Sequence, residues 1–113
     1  MNKTNLFLKW YDNLKDKKLQ LLITRKIERI KNEGYFGKTY PIAGVKNISE
    51  IKFETGAGYR IYFNIYANGN EVWFLTGGDK SAQKRDIEMA KLLLEELQKE
   101  REKENGKDYD YER

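Results

Sequence analysis

The sequence predicts an α+β domain in which two N-terminal helices pack on an antiparallel β-meander and a C-terminal helix follows. Three observations predict it. Apolar residues recur at three- and four-residue steps through residues 4–32. Apolar and polar residues then alternate with period two in stretches separated by glycines, and a second helical stripe occupies residues 87–97.

In the first stretch Phe7, Trp10, Tyr11 and Leu14 fall at i, i+3, i+4 and i+7, the spacing of one buried face. Leu19, Leu22, Ile23, Ile27 and Ile30 repeat the pattern. Between them Asn13-Leu14-Lys15-Asp16 breaks the helix, with Asp16 placed to cap the second one. The polar side is basic, through Lys17, Lys18, Arg25, Lys26, Arg29 and Lys31, and reads as a solvated face. Gly34 stands where a left-handed C-terminal residue is wanted.

Residues 35–45, with Gly37, Pro41 and Gly44, read as irregular chain. Residues 48–54 set Ile51 and Phe53 against Glu50, Lys52 and Glu54. Gly56 and Gly58 supply a turn. Residues 59–66 then set Tyr59, Ile61, Phe63 and Ile65 against Arg60, Tyr62, Asn64 and Tyr66. Asn68-Gly69 is a hairpin signal. The run Val72-Trp73-Phe74-Leu75 within residues 71–76 suggests a strand covered on both faces. Asp79 or Ser81 caps the last helix, whose apolar stripe is Ile87, Ala90, Leu93, Leu94 and Leu97.

The chain has 113 residues, enough for one domain, assigned to residues 1–98. Residues 99–113 form a charged tail, read as partly helical or disordered. The net charge is +4; the tail carries −1 of it, which leaves the body at +5, a balance suited to polyanions. There is no Cys and no His, which excludes disulfides, thiolate nucleophiles, Cys-ligated metals and imidazole acid–base chemistry. Any reaction must run on Lys, Arg, Tyr, Ser, Thr or carboxylates. No apolar run resembles a signal peptide or spanning helix, so the expectation is a soluble cytoplasmic domain without membrane contact.

One face of the expected sheet is left open and gathers Lys52, Arg60 and Tyr62, since residues two apart share a side. Lys80 lies in the first turn of the last helix, where exposed N–H groups and the dipole favour phosphate. Arg60 adds a planar fork for two phosphate oxygens. The plainer reading has Arg60 paired with Glu50 or Glu54 and Lys80 merely solvated. Gly77-Gly78-Asp79-Lys80-Ser81 lacks the Gly directly before Lys that a phosphate loop needs. Gly56-Ala57-Gly58 lies in a hairpin turn without the helix of a dinucleotide fingerprint. No carboxylate cluster suggests a metal.

The string Gly56-Ala57-Gly58-Tyr59-Arg60-Ile61-Tyr62-Phe63, then Leu75-Thr76-Gly77-Gly78-Asp79-Lys80-Ser81-Ala82-Gln83 with Asp86-Ile87 and Ala90, closely resembles the RelE/ParE superfamily of type II toxins. The resemblance is to its HigB-like, phage-derived addiction module killer branch, and it covers about residues 4–97. It implies a RelE/ParE toxin-like fold and a ribosome-dependent mRNA endonuclease that inhibits translation. Its partners would be the ribosome, mRNA and a cognate antitoxin, usually a helix-turn-helix protein. The implied chemistry needs no cofactor and no metal: a ribose 2′-hydroxyl attacks the adjacent phosphate, which calls for a base, cations and an acid.

By the same resemblance Arg60 is the phosphate-stabilising arginine, Lys52 a base or charge stabiliser, and Lys80 a basic residue at the usual place. Lys46, Tyr62, Gln83 and Lys84 are the implied RNA-binding positions. The His of HigB-type enzymes and the C-terminal Tyr of RelE-type ones are missing; Asp86 takes about the place of that Tyr and needs a raised pKa to act as acid. The usual N-terminal strand is nearly absent, with only three residues before Thr4. A ParE-like DNA gyrase inhibitor and a catalytically inactive binding remnant stand as alternatives.

Overall fold

A computed structural model describes residues 1–67 and 69–111, with side chains described as far as Lys103. The elements run β1 (Asn2–Lys3), α1 (Asn5–Asp12), α2 (Lys17–Glu33), β2 (Tyr40–Pro41), β3 (Ser49–Phe53), β4 (Tyr59–Tyr66), β5 (Glu71–Gly78), a 3₁₀ turn (Lys80–Ala82) and α3 (Gln83–Tyr111). The fold is α+β, but the sheet is mixed and five-stranded, in the order β1-β5-β4-β3-β2. The antiparallel hairpins predicted from the alternation form its centre, so the simple meander needs correcting at its edge. Asn2 and Lys3 pair in parallel with Trp73 and Phe74. Thr4 then ties the start of α1 to the same strand, its hydroxyl donating to the Leu75 carbonyl at 2.6 Å and accepting from Phe7 N at 3.0 Å.

The helix boundaries follow from local chemistry. Asp16 caps α2 by accepting from Leu19 N, and Gly34 ends it at φ +66°. Asp79 caps the 3₁₀ turn through Ala82 N. Asn68, part of the expected hairpin signal, lies outside the described residues; around it Ala67 (φ 57°) and Gly69 (φ 91°) are left-handed and Asn70 N donates to Ala67 O. Glu112 and Arg113, at the end of the expected tail, are likewise outside them.

Helices cover both faces of the sheet. On one, Phe7, Leu19, Ile23 and Ile30 of α1 and α2 meet Ile51, Ile61, Phe63 and Phe74. On the other, Ala90 and Leu94 of α3 meet Ile48, Tyr62 and Leu75. The face expected to stand open is therefore closed, because the apolar stripe of α3 needs a partner and finds it there. The run at residues 72–75 is covered on both sides, as its continuous apolarity implied.

A bulge sets the phase of β5. Tyr62 pairs with Thr76 while Phe63 pairs with Phe74, so Leu75 is extra and the alternation restarts after it. Gly77 is thereby turned toward α1 and Gly78 toward α3. A Cβ on Gly77 would overlap the Trp10 ring, within 2.6 Å of Cε3. Farther along α3, Arg101 stacks 3.8 Å over the Tyr66 ring, donates to Asn64 Oδ1 at 3.1 Å and lies 3.8 Å from Glu71. Asn64, itself buried, donates to the Asn47 carbonyl at 2.8 Å. Among the described residues no helix is long and apolar enough to cross a membrane.

Candidate functional site

Two adjacent cross-strand rows build the site. Glu50, Tyr62 and Thr76 form one row; Lys52, Arg60 and Gly78 form the next. Residues paired across antiparallel strands share a face, so both rows lie on the side of the sheet that α3 packs against. The predicted neighbourhood of Lys52 and Arg60 is thus a direct pair in the ladder.

Glu50 sits between the two cations, its Oε1 3.8 Å from Lys52 Nζ and its Oε2 3.8 Å from Arg60 Nε. The pairing of Arg60 with Glu50 matches the plainer of the two sequence readings. Arg60 Nη1 donates to the Gly58 carbonyl at 3.2 Å, which turns the guanidinium back toward the 55–58 turn. Lys52 Nζ lies 4.2 Å from the centre of the Tyr40 ring, a cation–π contact that holds the partly exposed amine over β2.

Lys80 reaches this corner from the other side. Its backbone N–H donates to the Ala57 carbonyl at 3.3 Å, and its Cβ packs beside Gly58, whose φ of +73° favours glycine. The lysine side chain is exposed. Asp79, beside it, is held below the ordinary carboxylate range, chiefly by the hydrogen bond from the Ser81 hydroxyl.

Asp86 closes the cluster from α3. It is buried against Gly78, and Arg85 lies 3.8 Å away on the solvent side. Burial pushes its carboxyl above the usual range, and Arg85 opposes part of that rise. Tyr62 is fully buried, and burial together with the Glu50 and Asp86 carboxylates holds its phenol far in the neutral form. Glu50 Oε2, Arg60 Nε, Tyr62 Oη and Asp86 Oδ2 are all buried without a hydrogen-bond partner. Four orphaned polar atoms in one cluster are costly to a fold that gains nothing else from them.

Lys52 and Arg60 are thus a cross-strand pair, and Lys80 joins the 57–58 turn beside Arg60. Asp86 is buried against Gly78 next to that pair, and Gln83 and Lys84 lie at the adjoining helix start. Tyr62 needs a correction: it lies beneath α3, not on an exposed platform where a base could stack. Lys46 stands apart, on the loop before β3, where it lines a cleft with Lys91, Leu94 and Gln98 of α3. Glu50 and Gly78 are the members that sequence reasoning gave no functional part. The signal for Glu50 was its i, i+2 relation to Lys52; Gly78 carried none until α3 was placed. Among the described residues, no group of three or more Asp or Glu is set to hold a metal.

No family model matches the chain. It is 40% identical over 97 residues to an uncharacterized protein of Haemophilus influenzae, an alignment that spans 84% of this chain and 93% of that one.

Proposed function

The chain belongs to one family with that Haemophilus influenzae protein, and for this member we propose the role of a type II toxin with the RelE/ParE arrangement, a cytoplasmic, ribosome-dependent mRNA endonuclease silenced by a cognate antitoxin. The observation that carries the reading is the row of Lys52, Arg60 and Gly78, with Lys80 joined to the 57–58 turn at one end of it and Asp86 buried against Gly78. In this reading the three cations hold the scissile phosphate and offset the charge that builds as the ribose 2′-hydroxyl attacks. Lys52, partly exposed, acts as one of these cations and steers the 2′-hydroxyl, whose proton leaves to solvent water. Asp86, whose hold on a proton burial strengthens, is the acid that gives a proton to the leaving oxygen. Gln83, Lys84 and Lys46 contact RNA farther along the strand.

A second reading has a specific observation behind it: Arg60 is tied to Glu50 and to Gly58 O, with a side chain only 11% exposed. Such an arginine suits a domain that binds RNA or protein without cleaving. Induced expression with primer-extension mapping of ribosome-bound mRNA separates the readings. The nuclease reading expects cuts that persist in a metal chelator and fall by about 10²-fold or more in Arg60→Ala and Lys80→Ala. Growth arrest with intact mRNA and DNA damage points to gyrase instead. Intact mRNA and normal growth leave the binding role.

A further inference from the structure

We infer that the outward stripe of α2 is a docking surface for an acidic, amphipathic protein segment. Leu22 was expected in the core at the helical spacing of Leu19 and Ile23, yet it is 43% exposed, and its neighbour Leu21 is 49% exposed. Position 22 shares a stripe with Lys18, Arg25, Lys26 and Arg29, at steps of three, four and seven residues. Leu22, Arg25, Lys26 and Arg29 line a cleft of about 250 Å³ whose floor is Phe53 at the end of β3.

Charge decides the occupant. Every ionisable residue lining that cleft is basic. Among the described residues Lys18 and Arg25 form no ion pair, Lys26 only donates to the Phe36 carbonyl at 3.4 Å, and Arg29 is engaged by exposed Glu33 and the Tyr35 ring. Glu28, in the same turn as Lys26 and Arg29, lines a separate cleft with Lys3 and Asp12. A partner must therefore bring carboxylates and apolar side chains together. Phosphates of a nucleic acid satisfy the cations but leave Leu22 in water, whereas a helix with leucines between glutamates satisfies both. The surface lies across the sheet from Arg60 and Asp86, so the inference stands apart from the nuclease reading.

The test uses the whole chain and a fluorescent amphipathic peptide of about 16 residues, with leucines at helical spacing and glutamates elsewhere. Controls are the same peptide with lysines for glutamates and a single-stranded RNA of similar length. The expected result is saturable binding of the acidic peptide alone to α2, mapped by amide shifts. Leu22→Glu and Arg25→Glu, each shown to be folded by circular dichroism, should weaken it about tenfold or more. Leu22→Glu should leave any mRNA cleavage unchanged, so failure of one reading is seen separately from failure of the other. Absence of acidic-peptide binding, equal binding by the lysine peptide, RNA mapping to this stripe, or self-association lost in Leu22→Glu each overturns the inference.

Discussion

Asp86 lies where a side chain on Gly78 would be: a Cβ built on that glycine falls 3.0 Å from Asp86 Cγ and overlaps its Oδ2. Gly78 ends β5 and Asp86 stands in the first turn of α3, so this contact seats the helix start on the sheet. Gly78→Ala should destabilise the fold by about 2 kcal/mol, the usual cost of overpacking. Asp86→Ala should recover much of that loss in a double-mutant cycle read by urea unfolding. Simple additivity would mean the two residues do not meet.

The pH dependence of stability should carry the mark of Asp86. Its folded-state pKa is raised by burial, so the folded protein holds the proton more tightly than the unfolded chain. Its contribution is fully present below the ordinary value of 3.8 and is lost as pH rises through the higher folded value. Urea midpoints should therefore show a downward component above that pH which Asp86→Asn removes. An unchanged profile in the variant would assign the slope to another group.

Glu50 compensates buried Arg60 at 3.8 Å. Glu50→Ala leaves that largely buried cation without a counter-charge, held only by the Gly58 carbonyl, and should cost about 3 kcal/mol. Replacing both residues with leucine should cost less than the single change, because no charge is then stranded. A smaller loss in Glu50→Ala than in the double variant would show that Arg60 is solvated without its partner.

Tyr62 presents the opposite case. Its hydroxyl is buried and without a hydrogen-bond partner, so Tyr62→Phe keeps the ring and removes an unsatisfied group. The variant should gain about 1 kcal/mol of stability against urea. A loss of similar size would show that the hydroxyl is satisfied in solution. If activity falls while stability rises, the phenol is retained for the site.

Much of this architecture is legible in residue order, and the parts that are not share a cause. Period-two alternation placed Lys52 beside Arg60, and caps at Asp16 and Gly34 bounded α2, because those signals are local. Strand β1 escaped because two residues carry no period; only tertiary pairing with β5 makes Asn2 and Lys3 a strand. The burial of Tyr62 escaped because alternation gives a face but not what covers it. The exposure of Leu22 escaped for a related reason: a helix stripe wider than the sheet beneath it leaves its margin in water. The Leu75 bulge, which decides that Gly78 rather than Gly77 receives Asp86, has no signature in an apolar run.

The grip of Arg101 on Tyr66, Asn64 and Glu71 gives α3 a second anchor fifteen residues beyond Asp86, roughly 22 Å along its axis. A helix fastened at both ends of a span does not fray through it one turn at a time. Its amide hydrogens between the two anchors should exchange with solvent as one cooperative block, protected to a common free energy. Cutting the Arg101 anchor should turn that block into a gradient that falls away from Asp86.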